Sequence, residues 1–66
     1  MRVEIFTDRT ADVPAWVGDF AFLPRPDEGI SVDRGGSFDY WIVRDVWHRG
    51  PANGPFVPCL LVERDD

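Results

Sequence analysis

Catalytic chemistry in this chain would have to draw on His48, Cys59, Ser31, Ser37 and a total of twelve carboxylates. A hydrolytic triad needs a nucleophile, a base beside it and a carboxylate that orients the base. Here that means Ser31 or Ser37 with His48 and Asp45. Their spacing matches no nucleophile motif, and 66 residues leave little volume for a water-excluding cleft. Asp8, Asp12, Asp19, Asp27, Asp33, Asp39 and Asp45 are spread through turns and strand exteriors, where they serve solubility. Asp33-Arg34-Gly35-Gly36 lacks the alternating oxygen ligands of a calcium loop. It also lacks the lysine and following helix of a phosphate cradle. Cys59 stands in an apolar run, where a free thiol packs as a small hydrophobe, and one Cys with one His cannot form a structural zinc site. The residues therefore point to a non-enzymatic chain with no catalytic group, metal or cofactor.

Binding chemistry is better represented. Tyr40, Trp41 and Trp47 are interleaved with Arg44 and Arg49, and exposed aromatics beside arginine are the composition of interaction hot spots. The same side chains could stack single-stranded nucleic acid, with Arg25 and Arg34 extending the surface. Charge opposes that reading: seven basic residues against twelve acidic ones give a net charge of −5, which repels phosphate backbones. All seven basic residues are arginine, a bias that GC-rich coding produces. Arg25, Arg34 and Arg44 each have an acidic residue within three positions, and Asp45 is the nearest to Arg49, so no basic track is sustained. A protein partner or a second copy of the chain is thus the expected ligand, with single-stranded nucleic acid as the alternative.

These side chains need elements to hold them. Arg2-Val3-Glu4-Ile5-Phe6 alternates with period two and reads as a strand. Over residues 13–18, Asp12 as a cap, Pro14 near the start and Gly18 at the end predict one helical turn. Residues 20–23 read as a short strand halted by Pro24 and Pro26. Residues 30–32 read as another, with Gly35-Gly36 turning a hairpin into the long aromatic and β-branched run 38–48. Strict alternation leaves neither face of that run apolar. A bulge at Arg44-Asp45 shifts the register so that Trp41, Val43 and Val46 share one side, leaving Tyr40, Arg44 and Trp47 toward the other. A competing arrangement packs Trp47 beneath the 49–55 loop and pairs Arg44 with a carboxylate. Residues 56–62 form the last strand, with Pro58 at an edge or bulge, and 63–66 a solvated tail.

The Leu-Pro-x-x-x-Glu-Gly stretch of residues 23–29, the glycine turn and the strand ending Val-x-x-Val-Trp-His resemble small uncharacterised bacterial and phage-type proteins with an SH3-like barrel. The resemblance spans about residues 23–63 and implies a fold, with no site residues. Together with the short connections, it predicts one all-β domain over residues 1–66. This would be a small five-stranded antiparallel, partly open barrel with at most one short helical turn. Its role would be that of an acidic protein-interaction module binding through Tyr40, Arg44, Trp47 and Arg49. One cysteine excludes an internal disulfide and suits a reducing compartment. No apolar stretch approaches the length of a signal or membrane-spanning segment, so a cytoplasmic location without membrane attachment is expected.

Overall fold

Alternation along the first strand sets the layout, because it sends Val3 and Ile5 to one face of a sheet and Glu4 and Phe6 to the other. A computed structural model describes residues 1–65. Its strands are β1 (Arg2–Phe6), β2 (Trp16–Asp19), β3 (Gly29–Asp33), β4 (Phe38–Arg49) and β5 (Val57–Arg64). They form one curled half-barrel sheet in the order β2-β1-β5-β4-β3, and its two outer strands do not pair with each other.

The sheet is mixed. β1–β2, β3–β4 and β4–β5 are antiparallel, whereas β1 and β5 run parallel, with Glu4 opposite Cys59 and Phe6 opposite Leu61. This corrects the all-antiparallel expectation. Short connections forbid parallel pairing only between consecutive strands, and β1 and β5 are linked by all the intervening chain. No helical turn forms over residues 13–18 among the described residues. Trp16–Asp19 is instead a strand on β1, and Trp16 lays its ring against Trp41 at 5.3 Å. Residues 20–23, expected to be a strand, belong to the loop that crosses the inner face and tucks Phe20 and Leu23 onto the core. Burying those two side chains there outweighs their β propensity.

The inner face carries the main core: Val3, Ile5, Val43, Leu60 and Val62, bordered by Trp16, Phe20, Leu23, Ile30, Trp41 and Val46. The indole Nε1 of Trp41 is buried there without an acceptor, a cost of about 1–3 kcal/mol borne for the area its ring covers.

The bulge falls where the sequence places it. Val43 faces Val62 and Asp45 faces Leu61, so Arg44 is the extra residue. Trp41 and Val43 before it, and Val46 after it, accordingly share the core. The hairpin turn is also as read: Gly35 at φ 72° and Gly36 at φ 119° adopt the left-handed side of backbone space, and the Arg34 amide donates to Ser37 O across them at 2.8 Å.

Pro58 stands at a local edge as expected: β5 lies inside the sheet, but its pairing with β1 begins only at Cys59, so at Pro58 it has β4 alone as neighbour. One boundary differs. Glu63 and Arg64 extend β5 instead of opening a tail, because Arg64 stands opposite Trp41 and its guanidinium lies 5.2 Å from that ring. Asp66, the last residue of the expected tail, lies outside the described residues.

Candidate functional site

The outer face divides into a sealed half and an open half. In the sealed half, Phe6 of β1 and Trp47 of β4 meet at 5.4 Å and 41°, above the fully buried Cys59, which is the cross-strand neighbour of both Glu4 and Trp47. Two arginines roof this pair. The Arg9 guanidinium lies 4.7 Å from the Trp47 ring and is ion-paired to Asp45. That of Arg49 lies 5.1 Å from Phe6, reaches Glu4 at 3.0 Å and donates to the Asp12 carbonyl at 3.0 Å. Cation–π contact and ion pairing thereby turn an apolar layer that would face water into a closed one.

The buried thiol is silent in this layer. Burial pushes Cys59 above its ordinary value of 9.0; the charge of Glu4 adds to the rise and Arg49 opposes it. A thiol held neutral in the fold stabilises it fully below the unfolded value, and that contribution is lost as pH rises through the folded one. Unfolding free energy should therefore be flat in this group's contribution below about pH 9 and fall above it. Thiol-reagent labelling should proceed at least ~100-fold more slowly in the native chain than in denaturant. Equal labelling rates would contradict a closed layer.

The open half lies over β3 and the start of β4. Phe38 and Tyr40 stack there at 6.3 Å and 23°, and each is more than half exposed (53% and 54%). Ile42 continues the stripe, half-buried, and the bulged Arg44 closes it with Nε 2.9 Å from Glu63. At the hairpin tip, Asp39 on the inner side receives Arg34 and, at 3.3 Å, Arg64. The Arg34 hydrogen bond holds the Asp39 carboxyl below the usual carboxylate range; partial desolvation works against it, and the nearby charges of Arg34 and Arg64 reinforce it.

The four expected binding residues thus separate. Tyr40 and Arg44 stand together in the open half. Trp47 and Arg49 belong to the sealed half, with Trp47 under Arg9 and on Phe6. Arg44 does pair with a carboxylate. Phe38, a member of the open stripe that the sequence reading left aside, could have been found from its alternation with Tyr40 two positions on.

Five arginines, Arg9, Arg34, Arg44, Arg49 and Arg64, each meet a carboxylate. Among the described residues no cluster of three or more metal-ligating side chains occurs, and His48 stands exposed near the end of β4. No helix among them is long and apolar enough to cross a membrane. No protein family, curated protein or solved structure matches the chain.

Proposed function

We propose that this chain is a non-enzymatic protein-interaction module, a small acidic SH3-like barrel of the bacterial cytoplasm that docks a protein through the open half of its outer face. The exposed, stacked Phe38–Tyr40 pair carries the reading. The fold spends two arginines on covering Phe6 and Trp47 but leaves this neighbouring pair to solvent, and aromatic side chains flanked by an arginine are what partner surfaces bury best. Arg44 and Glu63 at its border supply a polar rim whose charges give orientation more than affinity. A reducing compartment fits a lone thiol kept buried and neutral.

Single-stranded nucleic acid is the second reading, and the stacked rings are what favour it. Pairing of the neighbouring arginines with carboxylates favours protein, because phosphate contacts would have to displace those partners.

Replacing Phe38 and Tyr40 together with Ala should abolish partner recovery in an affinity pull-down. The melting temperature should stay nearly unchanged, since both rings are largely solvated. Phe56→Ala, at an exposed aromatic outside the stripe, should leave recovery intact. Equal recovery by all three proteins would overturn the docking face. Salt-sensitive quenching of tryptophan by short oligonucleotides would replace it with the nucleic-acid reading.

A further inference from the structure

From the outer edge of β3 we infer that the chain pairs with a second copy of itself, strand β3 against strand β3 about a two-fold axis through Ser31. This goes beyond the docking face, because the surface it uses is the β3 edge rather than the Phe38–Tyr40 stripe.

Hydrogen-bond parity fixes which groups are on offer. The Arg34 amide donates to Ser37 O and the Val43 amide to Glu28 O, which marks 34–37 and 28–43 as hydrogen-bonded pairs of the β3–β4 ladder. By alternation Ile30 and Val32 also turn their amide and carbonyl toward β4. Gly29, Ser31 and Asp33 turn theirs away from it. All three are exposed, β3 pairs with β4 alone, and no loop or turn hydrogen bond engages their backbone groups among the described residues. The strand contains neither a proline nor a lysine; its one charge is Asp33, and the bulge in which Asp27 (φ 75°) and Glu28 share Val43 ends just before it.

Self-pairing must match outward residues with outward residues. The antiparallel register centred on Ser31 does this for all three, setting Ser31 opposite Ser31 and Gly29 opposite Asp33. Shifting the register by two residues leaves one of the three without a partner. In the centred register Ile30 faces Val32 of the other copy, apolar against apolar. One residue beyond each end of the strand, Glu28, whose carboxylate also accepts from the Arg25 amide, stands opposite Arg34, whose guanidinium also holds Asp39; acid faces base without like charges, and two-fold symmetry makes that juxtaposition twice. Gly29 opposite Asp33 brings no like charges together, and the space around Gly29 is open, since even a Cβ there would meet no atom nearer than the Trp41 carbonyl oxygen at 3.8 Å. The product is a continuous ten-stranded sheet with the Phe38–Tyr40 stripes of both copies on one face.

Three measurements on the whole chain test this. Light scattering across a dilution series up to about 1 mM should show the mass doubling. Amide exchange at Gly29, Ser31 and Asp33 should slow as concentration rises. Ser31→Lys, at an exposed side chain, sets two lysines face to face on the axis and should leave a monomer at concentrations where the native chain is half dimeric. Ser31→Pro, which removes the outward amide, should do the same, and circular dichroism checks that both variants fold. A native chain that stays monomeric overturns the inference. So does a dimer that survives Ser31→Lys or leaves those three amides unprotected, and in that case association by another surface would keep the interaction-module reading alive. Loss of partner capture by the Phe38 and Tyr40 variant bears on that reading and is independent of the β3 edge.

Discussion

Leu60→Ala should unfold the protein at room temperature, or leave it with a small fraction of its native stability. Leu60 is fully buried in the strand that joins the two halves of the sheet, between Ile5 on β1 and Val46 on β4. Truncating such a leucine removes its transfer free energy and leaves a cavity, together about 2–5 kcal/mol. Domains of this size rarely hold more than about 3–5 kcal/mol in total. The loss is therefore of the same order as the whole. Urea denaturation followed by tryptophan fluorescence measures it; a variant with a native-like midpoint would mean that Leu60 is not at the centre of the core.

Phe6→Ala should cost nearly as much, although Phe6 lies on the face opposite the main core. Its ring is fully buried, supports Trp47 and receives Arg49, so the substitution strips one aromatic partner and one cation–π contact together. Large aromatic truncations cost about 3–5 kcal/mol, and the Trp47 ring would lose its floor as well. The informative control is Tyr40→Ala, at the same face but in the open half, which should stay within about 0.5 kcal/mol of native. If Phe6→Ala and Tyr40→Ala proved equally mild, the outer face would have no sealed half. Phe38 and Tyr40 would then be no more open to a partner than Phe6.

Period-two alternation makes β1 and the β3–β4 hairpin legible in the sequence, because local pattern and turn chemistry agree there. The bulge at Arg44 was legible for a different reason. Uninterrupted alternation would have placed Val43 and Val46 on opposite faces, and only one extra residue reconciles them. What local pattern could not supply was the value of distant partners. Residues 16–19 form a strand because β1 offers a vacant edge and Trp41 a surface for Trp16, neither of which is visible in the segment itself. Arg9, far from β4 in sequence, reaches Trp47 only after folding. This is why Trp47 and Arg49 look like binding residues in the sequence but lie in a closed layer in the structure. Tyr40's exposure was easier to read, since its neighbours on the open half are Phe38 and the bulged Arg44 of its own strand.

The parallel contact between β1 and β5 has a kinetic consequence. β1–β2 and β3–β4 are local ribbons that share no backbone hydrogen bonds with each other among the described residues; side chains cross between them, Arg49 to Glu4, Trp47 to Phe6 and Trp41 to Trp16, but the sheet is continuous only through β5. An isolated two-stranded ribbon is marginal in water, so neither half gains much from forming early. The rewarding step is insertion of the final strand between them, which closes the longest loop in the chain and completes both hydrophobic layers at once. Assembly is therefore all-or-none and governed by a search over distance rather than by local order, the regime in which small β proteins fold slowly.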